Sequence, residues 1–221
     1  MTSPIGPSKM FRLPDDADAT RLCVYEAVMR IRDRCTAPNK PEEPELQRKL
    51  PDGYEWAVQD KIPQKDTVLE YIRKVRDNHA WPLYIHGPPG VGKTCIAAVM
   101  YSRCSGSALW LRADTTLKEM GFATPEQSQA WRKSIKQTTC IFLDDLGVQA
   151  PNPQMLVALF DLLEDRKGRP LVITGNHSMQ SLSQIYEARI VSRLSAGSIL
   201  WIDGGDRRKG QGDAVKIGGG K

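Results

Sequence analysis

The chain has 221 residues, 40% of them hydrophobic, and a formal net charge of +5. This length suits one domain with a sizeable core and is too short for two full domains. Its longest uncharged apolar stretches are far below the roughly 18 to 20 residues that a membrane span needs, and the five cysteines lack CxxC spacing. We therefore expect a cytoplasmic protein without membrane, zinc or disulfide chemistry; the modest basic excess only permits a nucleic-acid partner.

The first 62 residues differ in composition from the rest. Residues 1–14 contain three prolines and are predicted to form a disordered leader. From Asp15, apolar residues recur at helical spacing as far as Arg34, and the proline-rich stretch 38–44 ends that helix. We interpret 15–62 as a helical partner-binding region with a linker, whose apolar stripe either docks in a partner's groove or packs on the protein's own core.

Beyond Pro63, helical and strand-like patterns alternate. This alternation predicts an α/β fold, a five-stranded parallel sheet flanked by helices, spanning residues 63–203. The remaining stretch, 204–221, is rich in glycine and basic residues and is predicted to be a flexible basic tail. The predicted strands are 82–86, 108–112, 140–143, 171–174 and 199–202.

Residues 87–94 read GPPGVGKT, between a predicted strand and a predicted helix. This is the P-loop pattern, in which glycines let backbone amides and the helix N-terminus point at phosphates. Lys93 would reach the β and γ phosphates, and Thr94 would place its hydroxyl on Mg²⁺. The sequence therefore predicts ATP binding and an ATPase. The predicted nucleotide contacts are Gly87, Pro88, Pro89, Gly90, Val91, Gly92, Lys93, Thr94 and Cys95.

The apolar strand 140–143 ends in two carboxylates and looks like a Walker B strand. An acid at the carboxyl end of a buried parallel strand lies beside the phosphate site, so Asp144 is the candidate for binding Mg²⁺ through water. Asp145 would orient or deprotonate the attacking water. Most proteins with a strand of the Walker B type carry glutamate at the position of Asp145, and the aspartate side chain is one methylene shorter than that of glutamate.

Two further polar features follow along the chain. Asn176 comes after the strand 171–174 and would hold the attacking water or a γ-phosphate oxygen, although an asparagine after glycine is also an ordinary turn residue. Arg189 and Arg193 lie four residues apart, so a helix would place both on one face. Such a pair is commonly a solvated face or a salt-bridge partner.

Together with the P-loop, the sequences DDLG at 144–147, TGN at 174–176 and RIVSRL at 189–194 resemble the DnaC/DnaI-type AAA+ helicase loaders and the related IstB-like transposition ATPases. The resemblance covers residues 63–203. It implies an AAA+ fold of the P-loop type without a C-terminal lid domain, and Asn176 in the role of a polar sensor. It also implies that Arg193, more than Arg189, reaches a neighbouring subunit's nucleotide as a catalytic arginine.

The function implied by the resemblance is ATP-dependent loading of a hexameric replicative helicase of the DnaB type onto single-stranded DNA, in a bacterial or phage system. The protein would act as a homo-oligomeric ring or spiral, and its N-terminal region would contact the helicase. The alternative is an IstB-like ATPase that assists a transposase on duplex DNA. A small-molecule or nucleotide kinase and a nucleotide-gated binding protein that scarcely hydrolyses ATP are weaker alternatives.

The stretch between the second and third core strands is the candidate DNA-binding surface. Single-stranded DNA needs cations along its backbone and often an aromatic platform for a base. This stretch occupies the place of an extra helical insertion in initiator-type AAA+ proteins, although Phe122 and Trp131 are also compatible with ordinary core contacts. The candidate DNA-binding residues are Lys118, Phe122, Arg132, Lys133 and Lys136.

Overall fold

The structure, a computed structural model, describes residues 10–12, 49–51, 53–54, 57, 62–148 and 150–207. The predicted helix at 15–34, the linker at 38–44 and residues 208–221 of the predicted tail lie outside the described residues. None of the described helices is both long and apolar enough to cross a bilayer.

The described part of the chain contains six strands and seven helices. The strands are β1 (Met10–Arg12), β2 (Leu83–His86), β3 (Ala108–Arg112), β4 (Cys140–Leu146), β5 (Leu171–Gly175) and β6 (Ser198–Trp201). The helices are α1 (Lys65–Asp77), α2 (Lys93–Ser102), α3 (Ala113–Gly121), α4 (Pro125–Gln137), α5 (Pro153–Asp165), α6 (Met179–Ile185) and α7 (Ala188–Ser195).

The strands form one parallel sheet in the order β1-β6-β2-β5-β4-β3. The predicted α/β fold and its five core strands, β2 to β6, are confirmed. Strand β1 adds a sixth strand beside β6, within the segment predicted to be a disordered leader. Three residues are too few to display the alternation that identifies a strand, so this pairing is not visible in the sequence.

Each face of the sheet carries its own apolar core. On one face Leu83 and Ile85 of β2 pack with α1 and α2, and on the other Tyr84 packs with α5 and α7. The successive side chains of a strand point to opposite faces, so a strand covered on both sides must be apolar throughout. This explains why the central strands read as continuous apolar runs.

Helix α5 begins at a clear sequence signal and ends at a buried arginine. The Asn152 side chain accepts a hydrogen bond from the Met155 amide at 2.8 Å, and a proline occupies the first helical position. The Arg166 side chain, 1% exposed, lies at the opposite end. It donates to the carbonyls of Ile135 (3.0 Å), Thr138 (2.7 Å), Thr139 (2.8 Å) and Pro170 (2.5 Å). One guanidinium thereby joins the ends of α4 and α5 to the strands β4 and β5.

We expect Arg166→Met to lower the free energy of unfolding by about 3 kcal/mol, because several buried carbonyls lose their donor. Urea denaturation measures this loss. Arg132→Met is the matched control, since it removes only an exposed ion pair with Asp161 and should change stability by less than about 1 kcal/mol. Equal losses in the two variants would contradict the role given to Arg166.

His86, the last residue of β2, is a buried titratable group. Its ring stacks on Tyr84 at a centroid distance of 5.5 Å, and it is 5% exposed. Burial, and secondarily the charge of Lys93, lowers the pKa of His86 to about 4. Within the described ranges its Nε2 atom has no hydrogen-bond partner. The folded protein therefore favours the neutral imidazole.

This pKa difference predicts acid sensitivity. Between about pH 6.5 and pH 4 the unfolded chain binds a proton at His86 that the folded chain does not, so stability decreases as the pH falls through this window. His86→Phe should show a shallower decrease, measured by urea denaturation at several pH values. His79→Asn, which changes an exposed histidine, is the control for the loss of a histidine; parallel curves for wild type and His86→Phe would rule the mechanism out.

Candidate active site

The P-loop connects β2 to the N-terminus of α2, as its predicted role requires. Gly90 and Gly92 have φ of 81° and 102°, values that residues with a Cβ atom rarely adopt. The Lys93 side chain is buried, and its Nζ donates to the carbonyls of Gly87 (2.9 Å) and Pro88 (2.7 Å). Lys93 thus lies beside the loop that is predicted to bind the phosphates of the nucleotide.

Residues following β6 pack directly on this loop. The amide of Arg207 donates to the Gly90 carbonyl at 3.1 Å, and a Cβ atom on Gly90 would lie 1.9 Å from Oδ1 of Asp206. The glycine is therefore needed for close approach as well as for its φ. These contacts involve the first residues of the predicted basic tail, and no local sequence pattern links those residues to the nucleotide site.

Asp144 lies at the carboxyl end of β4, within hydrogen-bond distance of the P-loop. Its Oδ1 accepts from Thr94 Oγ1 at 3.1 Å and from Thr174 Oγ1 at 2.6 Å, and its Oδ2 accepts from the Tyr54 hydroxyl at 3.1 Å. The structure therefore brings the two predicted metal-binding residues, Thr94 and Asp144, together. Strand β5 lies between β2 and β4, which explains how Thr174 reaches the same carboxylate.

Asp145 sits in an irregular part of β4. The pairing of β4 with β5 shifts register between Leu143 and Leu146, and Asp145 has a φ of 62°. Its amide donates to Thr174 Oγ1 at 3.0 Å, so the threonine that donates to Asp144 also fixes the backbone of Asp145. A bulge of this kind re-aims side chains at the end of a strand. It separates the buried Asp144 from the partly exposed Asp145.

The chemistry of these groups fits a hard divalent cation. Burial raises the pKa of Asp144, the nearby Asp145 raises it further, and the hydroxyl donors of Thr174, Thr94 and Tyr54 lower it. Mg²⁺ prefers oxygen ligands and keeps several waters and phosphate oxygens in its shell. The described residues contain no cluster of three or more His, Cys, Asp or Glu side chains suited to a metal.

Two of the residues around Asp144 were not predicted as site residues. Thr174 belongs to the TGN sequence at 174–176. The one sequence feature that marks it as a site residue is its hydroxyl near the end of an otherwise apolar strand. Tyr54 lies ninety positions before Asp144 in the chain, in a segment with weak periodicity, and no local pattern marks it.

The predicted sensor residue Asn176 lies one residue beyond β5 and is exposed. The neighbouring His177 joins the ends of two strands: its Nε2 is 3.0 Å from the Gly147 carbonyl, and its own carbonyl accepts from the Tyr84 hydroxyl at 2.7 Å. Asn176 thus occupies the same edge of the sheet as Asp144, next to a fixed backbone.

Arg189 and Arg193 share one face of α7, as predicted, and both contact α5. Their Cζ atoms lie 4.6 Å and 4.1 Å from the Phe160 ring centroid. Arg193 Nε pairs with Glu164, and Arg193 Nη1 donates to the Arg189 carbonyl at 2.9 Å. The Arg193 side chain remains 33% exposed. Its contacts in the described structure are with α5 and α7 and not with the P-loop.

The other predicted contacts differ in their surroundings. Pro88 and Pro89 are exposed at the loop, whereas Val91 and Cys95 are buried. The Cys95 thiol is directed into the core, with Sγ 3.6 Å from the Ala57 carbonyl. Only the backbone of Cys95, at the start of α2, is therefore suited to a nucleotide contact.

The candidate DNA-binding residues are not equally available. Lys118, Lys133 and Phe122 are exposed, the last at 61%. Arg132 and Lys136 instead pair with Asp161 (2.6 Å) and Asp165 (3.2 Å) of α5. Trp131 is partly buried against the core, one of the two outcomes that the sequence left open.

Comparison with solved structures finds proteins of similar fold. The replication initiator DnaA, bound to AMPPCP and single-stranded DNA, has a TM-score of 0.55 at 18% identity over 63% of this chain and 46% of that chain. DnaI has a TM-score of 0.52 at 24% identity, covering 68% of this chain and 89% of that chain. The DnaC helicase loader has 0.55 at 20% identity, covering 65% and 92%.

These identities show a common fold and nothing finer, and the chain spans about half the length of the two AMPPCP-bound DnaA structures that it matches. A comparison with curated protein sequences finds no match. The sequence does match the ATPase family associated with various cellular activities (AAA) over residues 83–198, from β2 into β6. The chain therefore belongs to the AAA family and carries an ATPase domain.

Proposed function

We propose that this protein is an ATP- and Mg²⁺-dependent loader of a hexameric replicative helicase onto single-stranded DNA, and that it acts as a homo-oligomer. The observation that carries the proposal is that the chain has two separate features. The P-loop and Asp144 lie together, whereas the partly exposed Arg189 and Arg193 lie on α7 and, in the described part of the chain, do not contact the P-loop. One chain then supplies the nucleotide site, and the α7 helix of a second chain completes it.

Within one chain, the residues divide the chemistry between them. Lys93 is a mobile cation that can exchange the carbonyls of Gly87 and Pro88 for phosphate oxygens. Thr94 and Asp144 would hold Mg²⁺, which when bound neutralises charge on the phosphates. Asp145, partly exposed and with its backbone fixed by Thr174, would orient the attacking water or accept its proton.

The role of Arg193 requires a second subunit. Its guanidinium lies against Phe160 and Glu164, on a helix face that remains partly exposed. A catalytic arginine supplied in trans contributes about 10³ to 10⁵ in rate in P-loop enzymes. The same arrangement makes ATP hydrolysis depend on assembly, since an isolated chain would lack this cation at its nucleotide.

The loader assignment rests on the motifs DDLG, TGN and RIVSRL together with the extent of the structural likeness. About nine-tenths of the DnaI and DnaC chains are covered, against 46% of the DnaA chain bound to single-stranded DNA and 69% of DnaA domain III. DnaC is described as a helicase loader, and the DnaA structure contains single-stranded DNA. These facts support helicase and single-stranded DNA as partners. Exposed Lys118, Lys133 and Phe122 are the candidate DNA contacts, with Arg132 and Lys136 engaged by α5.

Subunit mixing tests the shared site. Lys93→Ala alone should not hydrolyse ATP. Arg193→Ala alone should hydrolyse ATP about a thousandfold more slowly than wild type. In a 1:1 mixture about a quarter of the interfaces join an intact Lys93 to an intact Arg193, so we expect about a quarter of the wild-type ATPase rate.

The matched control replaces Arg193→Ala in the mixture by a chain that carries both substitutions, which should restore nothing. Absence of recovery at every ratio of the single variants would refute the shared site. Activity retained by Arg193→Ala but lost by Arg189→Ala would move the role to Arg189.

The partner assignment is tested by pull-down of a hexameric replicative helicase with the full-length protein, followed by DNA binding measured with AMPPCP. We expect helicase capture and at least tenfold tighter binding to a single-stranded oligonucleotide than to the matching duplex. Preference for the duplex, without helicase capture, would instead favour the transposase-assisting ATPase.

A further inference from the structure

We infer that Tyr54 is a positioning residue of the nucleotide site, contributed by the segment that precedes the ATPase core. Its hydroxyl donates to Oδ2 of Asp144 at 3.1 Å. The inference rests on the proposed function, because it assigns to Tyr54 the task of holding the carboxylate through which Mg²⁺ is bound.

The two oxygens of Asp144 are held by different parts of the chain. Thr94 and Thr174 both donate to Oδ1, whereas Tyr54 is the donor that the described residues provide for Oδ2. Donors on a single oxygen leave the carboxylate free to tilt about them. A third donor on the other oxygen fixes the plane of the group, and with it the directions in which a metal-bound water can donate.

Tyr54 is itself firmly held. Its amide donates to the Pro51 carbonyl at 3.0 Å, and its carbonyl accepts from the Ala57 amide at 2.8 Å. Its ring lies 5.5 Å from the Trp110 ring of β3. Ala57 is buried, and its carbonyl lies 3.6 Å from the Cys95 thiol of α2. A donor fixed by contacts with β3 and α2 can position Asp144, whereas a mobile side chain could not.

The location of Tyr54 also gives the preceding segment a direct contact with the metal-binding carboxylate. The described residues 49–51, 53–54 and 57 join the core on the face formed by α1 and α2, through buried Leu50 and Ala57. A displacement of this segment moves the Tyr54 hydroxyl away from Asp144. The hydrogen bond from Tyr54 thus links this segment directly to the nucleotide site.

The test is the metal-dependent part of nucleotide affinity. Calorimetry with full-length protein gives the affinity for AMPPCP in saturating Mg²⁺ and in EDTA, and the ratio of the two reports the metal contribution without catalysis. Tyr54→Phe keeps the ring on Trp110 and removes only the hydroxyl. We expect the ratio to fall about tenfold, the scale of one hydrogen bond to a charged group, with the affinity in EDTA unchanged.

Tyr101→Phe is the matched control, because this tyrosine contacts the same Trp110 ring (5.7 Å) and its ring also lies 5.5 Å from that of Phe142. It should keep the wild-type ratio. A ratio for Tyr54→Phe equal to or above that of wild type would overturn the positioning role while leaving the site itself intact. A wild-type protein whose affinity for AMPPCP does not respond to Mg²⁺ would overturn the proposed site as well.

Discussion

The Asp144 carboxylate is the group on which the rest of the site depends. It is a carboxyl group with 1% exposure, and among the described residues its hydrogen-bond donors are hydroxyls of three separate segments. Burial raises the pKa of Asp144, because the charged form is disfavoured away from water, and a positive ion beside it would stabilise that form. The same bonds fix the relative positions of the P-loop, β5 and the segment around Tyr54. The carboxylate proposed to bind the metal is therefore also the group that holds these three segments together.

The strand order explains why these segments meet. β5 lies between β2, which leads into the P-loop, and β4, which ends in Asp144. Its carboxyl end therefore faces both, and Thr174 can donate to Asp144 while accepting from the amide of Asp145. In open parallel sheets, ligands bind at the carboxyl ends of the strands, where successive connections leave in opposite directions. The bulge after Leu143 then separates a buried carboxylate from a partly exposed one in the next residue.

The sequence predicted the parts whose determinants are local. The five core strands, the P-loop and the Asp144-Asp145 pair all carry their signal in adjacent residues. Contacts between distant parts of the chain were not predictable: Tyr54 and Asp206 reach the site only because the sheet folds them there. Neither was the pairing of Arg132 with α5, since the charges on a helix do not reveal which acids another helix will place opposite them.

Arg166 gives helix α5 a mechanical property. It fastens the C-terminal end of that helix to four carbonyls at the base of the sheet, while the opposite end follows the loop after Asp145. Phe160 and Glu164 of the same helix contact Arg193, so the helix that Arg166 fixes to the sheet is also the support on which the arginine of α7 rests. One buried guanidinium thereby sets the position of a second, partly exposed one through the helix that joins them.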